Sequence, residues 1–270
     1  MKRTEVFKKS KKVVIKIGTH VLTSENNRLD ISVIEHIVEQ ICYLIKHKGM
    51  EVIIVTSGSI GAGMQVLGWK KRPEDINRLQ AAASIGQSRL MRVYERLFRE
   101  EGRNVGQILL TRDVFVDNQR KKIAKETIIT LLKLGVIPII NENDSVAVDE
   151  IKFGDNDILS SLVSELLEAD MLIILTDVDG LSKNDPKKDV NSKVIREVKD
   201  FNRISDIVVG ETSMYGSGGI KSKISAAMYV VDRGIFCLIL NGKKMWSLKR
   251  AVNGESVGTL FFPQSSRAYK

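Results

Sequence analysis

The stretch NENDSVAVDEIKFGDND, Asn141 to Asp157, follows the apolar run Val136 to Ile140 and sets four aspartates, two glutamates and three asparagines beside one lysine. Such a segment can neither pack a core nor stay uncharged, so its side chains are candidates for holding a ligand. It does not supply the D-x-[DN]-x-[DN]-G spacing, with a glutamate at position twelve, that an EF-hand calcium loop requires. Carboxylates and amides in this density suit two other tasks: gripping an ammonium group, or orienting lysines and magnesium around phosphates.

Two lysine positions favour the second task. Lys16 interrupts VVIKIG, a strand pattern whose other residues are apolar or glycine. An ammonium there is costly unless it reaches an anion, although an edge position or a snorkelling stem would also accommodate it. In YGSGGIKSK, the glycines Gly216, Gly218 and Gly219 lead into a helical pattern whose first turn carries Lys221 and Lys223. Cations at a helix N-terminus oppose the helix dipole, whereas an anion there gains from both the amides and the lysines, which points to a phosphate. A second glycine cluster, VTSGSIGAG, ends a strand with Ser57, Gly58, Gly61 and Gly63, and Gly68 follows. It reads either as a backbone that passes close to a ligand or as a tight strand-to-helix turn. Its order is not the dinucleotide fingerprint, and no Walker phosphate loop occurs in the chain.

These residues need a scaffold, and the sequence supplies one. The chain has 270 residues, 43% of them hydrophobic, enough to bury a sizeable core as one large domain or two intimate lobes. KVVIKIG, EVIIVTSG, VGQILLT, VIPII, MLIILTD and IFCLIL read as strands apolar on both faces, alternating with helical patterns such as Ile31 to Lys48, which Gly49 stops. That alternation predicts an α/β fold with a mostly parallel sheet covered on both sides, whose ligands bind beyond the carboxyl ends of the strands. The net charge of +9 comes in part from residues 1–11, which read as a basic, solvated tail. Nucleic-acid binding gains no support from it, because aromatics make up 6% of the chain and none interleaves a basic motif. Cys42 and Cys237 have no pairing framework or metal spacing and read as core thiols of a reducing compartment. No apolar run reaches a membrane-spanning length and no signal-peptide core follows the basic start, so a cytoplasmic location is expected.

The motifs VVIKIGTHVLT, IIVTSGSIGAG, AAASIGQSRLM, GQILLTRD, IPIINENDSVAVDEIKFGDNDILS, ILTDVDGL, GSGGIKSK and SVGTLF occur in this order. Together they resemble the glutamate 5-kinase branch of the amino acid kinase superfamily, over about Lys12 to Phe262. The lysine strand and the GSGG loop suit many members, while NEND followed by GDND singles out the glutamate enzymes. The resemblance implies a three-layer αβα sandwich with a kinase domain over residues 12–262, an acceptor lobe at about 12–170, a nucleotide lobe at about 171–262 and a tail at 263–270. It implies MgATP-dependent phosphorylation of the γ-carboxylate of L-glutamate, the first step of proline biosynthesis. Lys16, Lys223 and Asp157 would be catalytic, with Asp157 orienting the lysines. Ser57, Asn141, Asp144, Asp155 and Asn156 would hold glutamate, and Lys16, Thr176, Asp177, Ser217, Gly218, Gly219, Ile220, Lys221, Ser222 and Lys223 the nucleotide. No direct protein ligand to magnesium is implied. A homodimer or tetramer, proline as feedback inhibitor and product transfer to glutamyl-phosphate reductase follow from the same resemblance. Two departures stand out: many relatives continue beyond SVGTLF into a small domain of the RNA-modification type, and Lys221 stands where relatives often have a small polar residue. Two other readings are a kinase of the same superfamily acting on aspartate, acetylglutamate, carbamate or a nucleoside monophosphate, and a non-enzymatic nucleotide sensor.

Overall fold

The branched apolar runs form the strands β1 (Lys12–Ile17), β2 (Glu51–Thr56), β3 (Asn104–Leu110), β4 (Val136–Glu142), β5 (Met171–Thr176), β6 (Glu197–Val198), β7 (Phe236–Asn241) and β8 (Thr259–Phe261). In this computed structural model, which describes residues 1–24, 28–146, 156–182, 193–200 and 219–263, they build one sheet in the order β3-β4-β2-β1-β5-β7-β8-β6. Neighbours from β3 to β7 pair in parallel, and β8 turns antiparallel to β7. All six residues of β5 and of β7 are buried, as expected of parallel strands covered on both faces.

Strand alternation sorts the core into two layers. Val13, Ile15 and Ile17 of β1 face a cluster built with α3 (Ile31–Lys48) and α5 (Ile76–Glu100). Val14 faces the opposite cluster, built with α7 (Asn118–Lys133), α8 (Asn156–Leu166) and α9 (Gly219–Val231). Lys16, two residues beyond Val14, therefore emerges on the α8 and α9 side at the carboxyl end of the sheet. The helix boundaries have local causes. Asp30 caps α3 by accepting from the Val33 amide, Gly49 ends it with φ of 62°, and Asp75 caps α5 by accepting from the Arg78 amide.

The N-terminus departs from the solvated-tail expectation. Residues Arg3–Lys9 form helix α1, and Val6 and Phe7 are buried against α10 (Ser247–Val252) and the adjoining core. Arg3 donates to the carbonyls of Val257 and Arg196. Two adjacent apolar residues suffice here because the surrounding lysines point outward and leave one apolar strip to dock. The helices α2 (Thr19–Leu22), α4 (Ser59–Val66) and α6 (Asp113–Val116) complete the elements used below.

Candidate active site

Lys16 meets its anion. Its Nζ lies 2.6 Å from Asp157 Oδ1, with both side chains almost fully buried. Asp157 sits in the first turn of α8, where the helix dipole favours a negative charge. Its second oxygen, Oδ2, accepts from Lys223 Nζ at 3.1 Å and from the Ser222 hydroxyl at 2.7 Å, both carried by the first turn of α9. Lys223 also donates to the Gly219 carbonyl at 3.0 Å. One strand and two helix starts thus converge on a carboxylate that holds two ammonium groups close together. The formal sum is one excess positive charge, so the cluster suits a further anion, and both oxygens of the aspartate are engaged by neighbouring side chains.

Next to this cluster, at the ends of β2 and β4, the predicted acceptor residues form a connected set. The Asn156 amide donates to Asn141 Oδ1 at 2.8 Å, to Ser57 Oγ at 3.1 Å and to the Thr56 carbonyl. Asn141 donates onward to Gln87 Oε1 at 2.7 Å, and its own oxygen accepts from the Glu142 amide at 2.9 Å. Asp144 Oδ2 accepts from the Ser59 hydroxyl at 2.7 Å. Ser57, Asn141, Asp144 and Asn156 line one pocket, into which Arg72 and Arg112 also project. Asp155 lies outside the described residues.

The glycine-rich turn after β2 divides its tasks. Gly58, with φ of 98°, turns the chain into α4 and lines the pocket together with Gly61. Gly63 does not approach a ligand: a Cβ there would lie 1.8 Å from the Ala82 carbonyl oxygen, and one on Gly86 would lie 1.7 Å from the Ser59 carbonyl oxygen. These two glycines let α4 and α5 touch backbone to backbone, which fixes the start of α4 and with it Ser59.

Among the residues expected to hold the nucleotide, Thr176 ends β5 and its hydroxyl donates to Asp177 Oδ1 at 3.2 Å. The Asn241 amide at the end of β7 reaches the Asp177 carbonyl at 3.3 Å and Asp179 Oδ1 at 2.9 Å. Gly219, Ile220, Lys221, Ser222 and Lys223 form the first turn of α9, with Lys221 exposed to solvent. Ser217 and Gly218 lie outside the described residues. Sequence reasoning missed Ser59, Arg72 and Arg112. Ser59 had a usable signal, a hydroxyl two residues past Ser57 at a helix start, whereas the arginines sit in connecting segments where a polar residue carries no pattern.

The profile of the Amino acid kinase family matches residues 11–241 of the chain. A glutamate 5-kinase of Geobacter metallireducens is 47% identical over 262 residues, covering 97% of this chain and 70% of that one. A glutamate 5-kinase of Caldanaerobacter subterraneus subsp. tengcongensis is 46% identical over 256 residues, covering 94% and 68%. Among solved structures, carbamate kinase from Giardia lamblia bound to AMP-PNP shares the fold with a TM-score of 0.68 at 17% identity, covering 94% of this chain and 99% of that one. UMP kinase from Bacillus anthracis does so with a TM-score of 0.64 at 19% identity, covering 95% and 97%. At such identities the structural likeness speaks to the fold alone, and the fold is the mostly parallel αβα sandwich expected from the strand pattern. With the family profile spanning most of the chain and relatives near half identical along almost all of it, the protein belongs to the amino acid kinase family, in its glutamate 5-kinase branch.

Proposed function

We propose that this protein transfers the γ-phosphoryl group of ATP to the γ-carboxylate of L-glutamate, giving L-glutamyl 5-phosphate and ADP, the first step of proline biosynthesis. The observation that carries the reading is the Asp157 carboxylate holding Lys16 and Lys223 side by side, next to a pocket of amides, hydroxyls and carboxylates. A carboxylate with an ordinary pKa near ~4.3 is already ionised at neutral pH, so the acceptor needs no general base. One of its oxygens attacks the γ-phosphorus while the bond from phosphorus to the bridging β,γ-oxygen breaks, and the electron pair leaves on ADP.

The task left to the protein is alignment and charge cancellation. Lys16 and Lys223 place positive charge against the transferring phosphoryl group, and Asp157 sets their spacing. Asp144 receives the substrate ammonium, and Ser57, Asn141 and Asn156 align the acceptor, an assignment supported by their hydrogen-bonded connection. Asp155 belongs to the same proposed set. Thr176, Asp177 and the segment 217–223 hold the nucleotide. Among the described residues no group of three or more His, Cys, Asp or Glu side chains is arranged for a metal, and the carboxylate of Asp157 is taken by lysines. Magnesium, as the family resemblance implies, would be carried on the ATP phosphates, where it would neutralise charge on the leaving group.

The product is a mixed anhydride prone to attack by water, which favours prompt consumption by a glutamyl-phosphate reductase. Proline, with an ammonium and a carboxylate of its own, fits as an inhibitor overlapping the Asp144 side of the pocket. A homodimer or tetramer and a cytoplasmic location complete the proposal. The test is ADP release with MgATP and L-glutamate, L-aspartate, N-acetyl-L-glutamate, carbamate or UMP, with hydroxylamine present to trap an acyl phosphate. A γ-hydroxamate formed with glutamate alone is the expected result. Turnover only with another acceptor would transfer the lysine chemistry to that substrate and reject the assignment of the acceptor pocket.

A further inference from the structure

The acceptor pocket carries more charge than the residues assigned to it account for. Its walls include Glu142 and Asp144 on one side of the charge balance and Arg72 and Arg112 on the other. Their formal charges sum to zero, but the signs sit on different elements. Leu110, the last residue of β3, pairs with Glu142 at the end of β4, and the Asn143 amide donates to the Leu110 carbonyl at 2.8 Å. Arg112, two residues further on, thus leaves β3 beside the strand end that bears the carboxylates. The neighbouring Asp113 is engaged elsewhere, by the Thr111 hydroxyl and the Arg120 guanidinium. Arg72 enters from the segment joining α4 to α5.

An amino-acid acceptor whose γ-carboxylate faces Lys16 and Lys223 turns its α-ammonium and α-carboxylate toward these walls. The carboxylates of Glu142 and Asp144 suit the ammonium and repel the α-carboxylate. A guanidinium has the planar donor fork that fits a carboxylate, and the two arginines are the cations among the described residues lining this pocket. We infer that Arg112 and Arg72 bind the α-carboxylate of the acceptor and are the residues by which the enzyme selects an unmodified α-amino acid head group. The inference rests on the glutamate reading above and adds the group that reads the far end of that substrate.

The test compares ADP release with L-glutamate and with L-isoglutamine, the α-amide that keeps the ammonium and the γ-carboxylate. It uses the full chain and its Arg112→Gln, Arg72→Gln and Arg112→Lys variants. The unmodified protein should favour glutamate in kcat/KM. Arg112→Gln and Arg72→Gln should each raise the glutamate KM, by about 10- to 100-fold for the loss of a charge-assisted contact. Isoglutamine should be affected far less, so the preference narrows by a similar factor, and Arg112→Lys should recover part of it. Both side chains are solvent-exposed, so folding should persist, which the thermal midpoint checks. Equal losses for both substrates in both glutamine variants would assign the arginines a structural role and overturn the inference. Equal kcat/KM for glutamate and isoglutamine in the unmodified protein would overturn it without any variant, while leaving the glutamate kinase reading intact. Absence of turnover with glutamate would overturn both.

Discussion

The lysine cluster and the acceptor pocket adjoin, yet they are built on opposite principles. Lys16, Asp157 and Lys223 come from the carboxyl end of β1 and the first turns of α8 and α9, and Asp157 is fully buried with an ammonium close to each oxygen. The proposed acceptor pocket draws on the ends of β2 and β4, the first turns of α4 and α8 and connecting segments, and its arginines are exposed. Buried charges in fixed register suit a transition state, whose geometry is the same at every turnover. An open wall of mixed charge suits a ligand that must enter and leave. Substitutions in the first region should therefore act on kcat, and those in the second on KM.

The largest expected effect belongs to the buried cluster. Lys223→Ala removes one of two cations from the transferring group and should lower kcat by about 100- to 1,000-fold with much smaller changes in either KM. Steady-state kinetics with ATP and glutamate varied in turn measure this. A loss confined to the ATP KM would make Lys223 a nucleotide tether and erase the contrast between the regions.

A second effect tests how the acceptor wall is held. The backbone contact between α4 and α5 at Gly63 and Gly86 positions Ser59, and through it Asp144. Gly86→Ala forces a Cβ against the Ser59 carbonyl, and overpacking of this kind costs about 1–3 kcal/mol or more. Urea unfolding should show that loss, with a raised glutamate KM and little change in kcat at saturation. A kcat loss as deep as that of Lys223→Ala would mean the two regions are mechanically one.

How much of this was legible in the sequence follows the same division. Lys16 stood out because a cation in an apolar strand needs an anion, although nothing in its neighbourhood named Asp157 as that partner. Helix α3 was legible from its apolar spacing and the stop at Gly49, and the structure adds the Asp30 cap. Helix α1 was not, because its apolar content is two adjacent residues whose value depends on α10. The pairing of Gly63 with Gly86 hides for a related reason: each glycine reads as a turn or a helix fault until the partner helix is in view. Arg112 carried no signal, since an exposed arginine after a strand is ordinary until the opposite wall proves acidic.

A smaller effect sharpens the role of the acceptor wall. Asp144→Asn keeps the hydrogen bond from Ser59 in reach and removes the charge proposed for the substrate ammonium. The glutamate KM should rise about 10-fold or more, the range of a lost charged contact, with kcat and the ATP KM nearly unchanged. Unchanged glutamate affinity would remove Asp144 from the acceptor site.

The least perturbing measurement uses the two cysteines as reporters of the two layers. Burial raises the pKa of Cys42, on α3, to about 11. Burial also raises that of Cys237, on β7, and the negative charge of Asp157 raises it further, because an anion nearby opposes formation of a thiolate. Both groups are therefore neutral thiols at pH 8, and the reactive thiolate is scarce. Cys42 retains slight exposure and should react slowly with an aromatic disulfide reagent in the folded protein, whereas Cys237, with none, should react only as fast as the protein unfolds. Adding MgATP should slow Cys237 alone if the nucleotide ties α9 to the lysine cluster in front of it. Rapid labelling of Cys237 in the native state would show that the sheet behind Asp157 opens freely, and the rigidity on which the contrast rests would fail.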